Sequence, residues 1–351
     1  MIEDGKPEWI PFDLPTTEPV RGAILRETGA SPEVEFDTDF RHVGVSLVDD
    51  PDRWRTTLEA TGFRYPANTV MGPHGVAWVR PPLESLGDAT HLLEMLHPLA
   101  HIEDREILAS LPWPDPASGE HYRGLQGRCK AIHAEGKVAA GGRECTIFEH
   151  TWYLRGMDNV FCDWAEGNPI TEWLLDYFTL RSIHECRAFV AAGCDVIRLG
   201  DDVGTQENLL ISITMWREHL KPRLKQVVDA IREASGPRKV WVQYHSDGFI
   251  TPLIPELIEI GIDILNPVQP ECMDLEAVAA EFQDRLALCG MIGTQTTMPF
   301  GSPADVEEAV VRVRRLHSTG ARVIVAPTHV LEPDVPMENI RAFANAAKHS
   351  L

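Results

Sequence analysis

The stretch Lys239-Val-Trp-Val-Gln-Tyr-His-Ser-Asp-Gly248 decides the fold class, because a short run rich in β-branched and aromatic residues ends abruptly in a polar cluster. Such a run predicts a buried strand, and the cluster predicts a turn at the carboxyl end of that strand. Five further runs predict strands of the same kind, at residues 137–142, 195–199, 262–265, 286–289 and 322–326. The chain therefore contains at least six candidate strands of similar length.

Amphipathic helices are predicted between these strands. Leu220, Leu224, Val227 and Ile231 are spaced by four, three and four residues, which gives one apolar stripe on a helix. A second stripe on Val306, Val310 and Val313 follows Ser302-Pro303, a pair that suits an N-cap and the first helical position. Alternating strands and helices predict an α/β protein with a parallel sheet, as a barrel or as an open doubly wound sheet. No GxGxxG follows a predicted strand, so a dinucleotide-binding sheet has little support.

Composition limits the class of protein. The chain has 351 residues, 44% hydrophobic and 24% charged, which is typical of globular proteins and long enough for one large barrel. The net charge of -21 disfavours nucleic acid and anionic membranes as partners. The sequence shows no apolar run of 18 residues and no secretory signal at its start, and its seven Cys have scattered spacings. We therefore expect a cytoplasmic protein with reduced thiols.

The first hundred residues do not show the strand–helix alternation. Residues 36–80 carry short β-rich pieces such as Val43-Gly-Val-Ser-Leu-Val48, and residues 81–120 are interrupted by Pro. We expect residues 1–100 to form an N-terminal extension or cap with short strands that pack on the barrel. Residues 101–351 then form the barrel that carries the active site, and the whole chain is one continuous domain.

Polar residues lie at the carboxyl ends of successive predicted strands. In a parallel barrel these ends meet at one face, where barrel enzymes have their active sites. Each residue alone has a structural interpretation, since Asp201 can cap a helix and His245 can be a core histidine. Their repetition at five strand ends favours a site made of Asp201, Asp202, His245, Asp247, Asn266, Gln269, Gln295 and His329.

An ordered series of motifs resembles the uroporphyrinogen-decarboxylase superfamily, in the branch that includes corrinoid-dependent O-demethylase methyltransferases. The resemblance covers about residues 100 to 350 and implies a (β/α)8 TIM-type barrel. The motifs are Phe148-Glu-His-Thr-Trp-Tyr-Leu-Arg-Gly-Met-Asp-Asn159, Asp201-Asp-Val-Gly-Thr-Gln206, Trp216-Arg-Glu-His-Leu-Lys-Pro-Arg223, His245-Ser-Asp-Gly248, Met298-Pro-Phe-Gly-Ser-Pro303 and Pro336-Met-Glu-Asn-Ile340.

The resemblance also separates branches of the superfamily. Porphyrin decarboxylases carry an Arg-rich MRQAGR segment that this sequence lacks, so decarboxylation of uroporphyrinogen is not expected. Thiol-directed relatives bind zinc through His-x-Cys and a second Cys, where this sequence has His245-Ser246-Asp247 and His329. His245, Asp247 and His329 form a sound ligand set for zinc or another divalent metal, with Glu271 and Cys289 in reserve.

The function implied by the resemblance is demethylation of a small methoxylated compound, aromatic compounds included, with transfer of the methyl group to a corrinoid protein. His245, Asp247 and Asp202 are the predicted catalytic residues, with a metal or His245 stabilising the leaving oxygen. The chain has no Asp-x-His-x-x-Gly motif, so the corrinoid is expected on a separate partner protein. Predicted substrate-binding residues are Glu149, His150, Trp152, Asp201, Gln206, Asn266, Gln269 and Gln295.

Three alternatives remain open from the sequence. The first is a metal-independent decarboxylase or lyase of a small acid that uses His245 and Asp247 as an acid/base pair. The second is a non-catalytic subunit of a methyltransferase complex, and the third is a transferase that carries methyl groups from a methyl-corrinoid to an acceptor. A homodimer is also expected, since relatives are often dimers.

Overall fold

The computed structural model describes residues 10–45, 47, 49–79 and 94–348. The predicted N-terminal extension is therefore only partly covered, because residues 1–9, 46, 48 and 80–93 lie outside the described part of the chain.

Seven parallel strands form the main sheet, and they lie side by side in the order in which they occur in the chain. All six strands that the sequence predicts are present, and the α/β-barrel fold is confirmed. The strand bounds are β1 Phe40–Val43, β5 Val138–Gly142, β6 Val196–Gly200, β7 Trp241–His245, β8 Ile264–Asn266, β9 Ala287–Cys289 and β10 Arg322–Ile324.

The amino-terminal segment around Phe12 bridges the first and last strands of this sheet. Phe12 pairs with Val325 in a parallel bridge. Asp39, directly before β1, donates its backbone N–H to the Phe12 carbonyl and accepts the Phe12 N–H at Asp39 Oδ2, 2.8 Å away. Residues 11–13 therefore lie between β10 and β1 and close the barrel, although they are far from both in sequence.

Residues 11–13 and β1, which both come before residue 100, thus contribute to the barrel. A second sheet lies apart from the barrel. The second sheet is antiparallel, in the order β2 Thr69–Met71, β3 Ala77–Val79 and β4 Glu94–Leu96. It packs on a separate apolar cluster that includes Trp54, Leu99 and Phe178. In the β-rich piece 43–48, Val43 ends β1 and residues 44, 45 and 47 form no strand, whereas residues 46 and 48 lie outside the described part of the chain.

Helices cover the outside of the barrel. Both helical stripes read from the sequence are confirmed, and Ser302 forms a capping box with Asp305 at the start of its helix. The helices are α1 Glu18–Thr28, α2 Pro32–Glu35, α3 Pro51–Ala60, α4 Arg105–Ser110, α5 Leu125–Ala134, α6 Phe148–Arg155, α7 Met157–Glu166, α8 Pro169–Ala192, α9 Ile213–Met215, α10 Lys221–Ser235, α11 Ile254–Ile260, α12 Leu275–Phe282, α13 Thr297–Phe300, α14 Pro303–Ser318 and α15 Met337–Lys348. A π-helical turn, Trp216–Leu220, joins α9 to α10.

The barrel interior is filled only in part by apolar side chains. Phe40, Ile264 and Ile324 belong to a small interior cluster, together with the small residues Ala140 and Ala326. Barrel interiors are usually packed with bulky branched side chains. The small residues leave room for polar groups near the carboxyl ends of the strands.

No helix among the described residues is long and apolar enough to span a membrane.

Candidate active site

The three predicted metal ligands lie together at the carboxyl end of the barrel. His245 ends β7, Asp247 lies two residues beyond it, and His329 follows β10. One ligand atom from each of the three lies within 4.8 Å of the other two. His245 Nε2 is 3.8 Å from Asp247 Oδ1, a separation that two ligands of one small metal ion would have.

A fixed hydrogen-bond chain orients His245. Its Nδ1 lies 2.7 Å from Asn266 Oδ1, while Asn266 Nδ2 donates to Cys289 Sγ. Asn266 Oδ1 therefore accepts the Nδ1–H of His245, and Nε2 is left as the ligand atom. Gly290 has a φ of 68°, and a Cβ there would lie 2.7 Å from Asn266 Nδ2, so only glycine leaves room for this arrangement.

Cys289 lies behind this chain rather than among the candidate ligands. It is 5% exposed, and burial raises the pKa of its thiol to about 12. The neutral thiol accepts the hydrogen bond from Asn266 and is a poor metal ligand in that state.

Two carboxylate oxygens at this site, Asp247 Oδ1 and Glu271 Oε2, are buried without a hydrogen-bond partner. Burial and the nearby charges of Asp202 and Glu271 raise the pKa of Asp247, whereas His245 and His329 lower it. Unpartnered buried oxygens are costly, and a cation would satisfy them. The residues present therefore fit a divalent metal at His245, Asp247 and His329, with Glu271 as a neighbouring oxygen donor.

Asp202 and Glu149 form the acidic wall next to His245. Asp202 Oδ1 lies 3.9 Å from His245 Nε2 and accepts the backbone N–H of Asp247. Glu149 accepts hydrogen bonds from the Tyr153 hydroxyl at 2.7 Å and from the Asp202 backbone N–H at 3.2 Å. Burial, and then the charge of Asp202, raise the pKa of Glu149 to about 7, which suits proton transfer near neutral pH.

Three of the predicted substrate-binding residues, Asp201, His150 and Trp152, make contacts within the protein framework. The Asp201 carboxylate accepts the backbone N–H groups of Ile147 and Glu149 and thereby caps α6. Burial and then Glu149 raise its pKa well above the usual value. His150 lies in a cluster of rings with His74 and Phe178, and Trp152 contacts the Tyr153 ring.

Two cavities open beside the candidate metal ligands. A small cavity of about 40 Å³ extends into the barrel below His245 and His329. The larger one, called here the side cavity, has a volume of about 250 Å³. Its lining residues are Asp247, Gln269, Thr294, Gln295, Thr328, His329, Val330, Glu332, Asp334 and Val335.

The glutamines named from the sequence have distinct positions. Gln269 lines the side cavity and accepts the backbone N–H of Gly248 at Oε1. Gln295 also lines the side cavity, and its Oε1 accepts a hydrogen bond of 2.9 Å from Gln206 Nε2. Gln206 and Gln295 come from the loops after β6 and β9, so their bond connects two separate parts of the barrel mouth.

Two groups of residues at this face were not predicted from the sequence. The first group lines the side cavity and consists of Thr294, Thr328, Glu332 and Asp334. The one sequence feature that points to these residues is that they lie close to Gln295 or His329 in the chain. A charged chain also lines the small cavity: His42 contacts Asp13 and accepts from Arg198, which is ion-paired with Glu144. The two-residue period of β6 places Arg198 on the interior face with Val196, and this signal could have found it.

The fold and this face define an α/β-barrel protein with a candidate metal centre at the carboxyl ends of its strands. The chain belongs to the Uroporphyrinogen decarboxylase (URO-D) family, whose model matches residues 127–350.

Two individual proteins are similar to this chain, one in sequence and one in fold. The chain is similar to Methylcobamide:CoM methyltransferase MtaA of Methanosarcina barkeri, with 26% identity over 187 residues, 53% of this chain and 51% of the relative. The match thus spans about half the length of that curated relative. A solved structure described as a methyltransferase from Methanosarcina mazei shares the fold, with a TM-score of 0.61 at 18% identity over 97% of this chain and 94% of that one.

Proposed function

We propose that this protein is a methyltransferase that moves a methyl group between a small methyl donor and a corrinoid carried by a partner protein. The observation that carries the proposal is the convergence of His245, Asp247 and His329 at the barrel mouth of a family member. The similarity to a methylcobamide-dependent methyltransferase supports the corrinoid part of the proposal.

The ligand set supports an oxygen-linked methyl donor. Two imidazoles and a carboxylate form a harder site than one containing thiolates, and they suit zinc or another divalent metal. Such a metal would supply a Lewis acid for the charge that develops on the leaving oxygen when the C–O bond breaks.

The chain's own residues prepare this chemistry. Asn266 holds His245 with Nε2 directed away from the Asn266 amide. Asp202 holds the Asp247 backbone in place through a 2.7 Å hydrogen bond. Glu149, which shares a hydrogen bond with the Asp202 backbone, can hold a proton near neutral pH and release it toward the oxygen that leaves. In the balanced reaction the methyl carbon passes to the corrinoid nucleophile, the electron pair of the broken bond stays on oxygen, and a proton neutralises that oxygen.

The opposite direction of transfer is a second candidate, since the curated relative is named for methyl transfer between methylcobamide and CoM. In that direction a thiol would take the methyl group from a methyl-corrinoid. The absence of Cys from the group His245, Asp247 and His329 gives this direction less support.

The test measures methyl transfer in both directions with the zinc-loaded protein. Free cob(I)alamin with a panel of methyl ethers tests demethylation, and methylcobalamin with thiols tests the reverse. We expect demethylation to be the faster reaction and His329→Ala to lower it by about two orders of magnitude, because Lewis-acid assistance contributes several kcal/mol. Cys162→Ser, at an exposed thiol, is the control. Equal rates in His329→Ala and wild type would contradict the proposal.

A further inference from the structure

A groove lies at the opposite end of the barrel from the candidate metal centre and is called here the basal groove. Its lining includes Lys239 before β7, Asp263 directly before β8 and Arg285 before β9, so it lies at the amino ends of these strands. Its volume of about 650 Å³ lies within the range of small-molecule sites, roughly 300–1,000 Å³. The basal groove therefore has room for a ligand other than the methyl donor.

The basal groove is positively charged, although the chain as a whole has a net charge of -21. Its described lining residues contain one carboxylate, Asp263, and four cations, which are Arg232, Arg238, Lys239 and Arg285. Four cations and one carboxylate give the lining a net charge of +3. A local excess of positive charge on an acidic protein favours an anionic ligand.

The carboxylate of the lining is already shared between two of the cations. Asp263 Oδ2 accepts a hydrogen bond of 2.6 Å from Arg232, and Asp263 Oδ1 lies 3.5 Å from Lys239 Nζ. These three residues together retain one positive charge. Asp263 therefore does not neutralise the other two cations, Arg238 and Arg285.

Neutral groups hold these two guanidinium groups in place. Arg238 donates hydrogen bonds of 2.6 Å and 2.7 Å to the carbonyl groups of Cys194 and Val190. The guanidinium carbon of Arg285, an exposed residue, lies 5.2 Å from the centre of the Phe282 ring. Carbonyl groups and rings orient a guanidinium group without cancelling its charge, and each guanidinium group keeps N–H donors for an anion.

Acidic residues near the basal groove in sequence do not belong to its lining. Glu233 pairs with Arg187 at 2.8 Å, and Glu259 pairs with Lys221 at 2.7 Å. Asp284, the neighbour of Arg285, is not a lining residue either. The excess of positive charge is therefore a property of the groove itself.

The basal groove also has an apolar part, formed by Val240, Ile258 and Ile262. An apolar ligand body would be removed from water there, while anionic groups on it reach the guanidinium groups. We propose that the basal groove binds a small organic dianion, in which two anionic groups are attached to an apolar body. This proposal concerns a second site and does not rest on the proposed methyl transfer.

The first experiment uses naphthalene-1,5-disulfonate as the probe, with isothermal titration calorimetry on the zinc-loaded, full-length protein. Naphthalene-1-sulfonate has the same apolar body and one anionic group, and it is the matched control ligand. Because the second sulfonate adds charge-assisted hydrogen bonds, we expect the disulfonate to bind at least about tenfold tighter. Equal affinity of the two ligands, or no binding of the disulfonate at millimolar concentration, would overturn the proposal.

A pair of variants tests whether the probe binds in the basal groove. Arg285→Gln removes one of the two guanidinium groups that Asp263 does not neutralise, and it should weaken disulfonate binding about fivefold or more. Lys130→Gln, at an exposed position of α5 outside the groove lining, changes the net charge equally and should leave affinity unchanged. Equal effects of the two substitutions would show that only the net charge matters and would contradict the assignment.

His329→Ala distinguishes the two ends of the barrel. The basal groove does not include His329, so this variant should bind the disulfonate as tightly as wild type. Loss of binding in His329→Ala would place the probe at the candidate metal centre and would contradict the proposal. Methyl transfer is not measured in these titrations, so their outcome is independent of the test of the proposed function.

Discussion

Individual residues at the barrel mouth divide into three that could hold a metal ion and others that position these three. His245, Asp247 and His329 present ligand atoms to one another, whereas Asn266 and Cys289 lie behind His245. Sequence position alone could not separate these roles, because Asn266 and Cys289 also end strands. The difference comes from side-chain direction, which depends on the neighbouring strand and on Gly290.

Glu149 gives a prediction about pH and stability. Its pKa rises from the ordinary value of 4.5 to about 7 in the folded protein, so the folded state holds a proton that the unfolded state releases in this interval. The protonated Glu149 side chain therefore stabilises the folded state fully below pH 4.5, and this contribution to the free energy of unfolding is lost as pH rises through 7. Glu149→Gln stays neutral, and its free energy of unfolding relative to wild type should rise by roughly 2–3 kcal/mol from pH 4.5 to pH 8.

Urea denaturation at several pH values measures this difference. Glu338→Gln, at the exposed start of α15, is the control and should show no such trend. A difference between Glu149→Gln and wild type that stays constant over this pH range would show that Glu149 ionises normally in the folded protein.

At the scale of elements, local pattern was sufficient for β5 to β10 and for α10 and α14. Each of these strands is a short apolar run, and the helical stripes repeat with the 3.6-residue period, so the signal lies within the element itself. The same pattern also placed the polar strand ends on one face, since parallel strands in a barrel share their direction.

The closure of the barrel could not be predicted in this way. The segment around Phe12 pairs with Val325 and with Asp39, and neither partner is near it in sequence. The side cavity was missed for a similar reason, because its wall combines loops after β7, β8, β9 and β10. Contacts between distant segments leave no periodic signal in a single sequence.

Phe12 tests whether the closing segment stabilises the barrel. It is 2% exposed and contacts Phe343 with ring centroids 6.5 Å apart. Phe12→Ala should lower the free energy of unfolding by about 3 kcal/mol, because it removes a buried ring and leaves a cavity. Urea denaturation checks this value.

Phe300 is the matched control, since its side chain is 79% exposed. Phe300→Ala should change the free energy of unfolding by less than about 0.5 kcal/mol. Similar effects of the two substitutions would contradict the closing role of the amino-terminal segment.

At the scale of the whole molecule, the barrel joins a family scaffold to a candidate metal centre. The chain belongs to the URO-D family, and His245, Asp247 and His329 lie together at the mouth of its barrel. Sequence comparison shows the family and hence the barrel scaffold. The chemistry of the centre, in contrast, depends on the side chains of the three residues themselves. The proposed methyl transfer therefore depends on metal binding at this centre.

The most direct test is the metal content of freshly purified protein, measured by elemental analysis for wild type, His329→Ala and His133→Ala. His133 is a partly exposed histidine that pairs with Asp195 away from the barrel mouth, which makes it the matched control. We predict about one zinc or other divalent metal per chain in wild type and in His133→Ala, and at least about tenfold less in His329→Ala. Absence of metal from wild type after reconstitution, or equal metal in all three proteins, would contradict a metal centre at His245, Asp247 and His329.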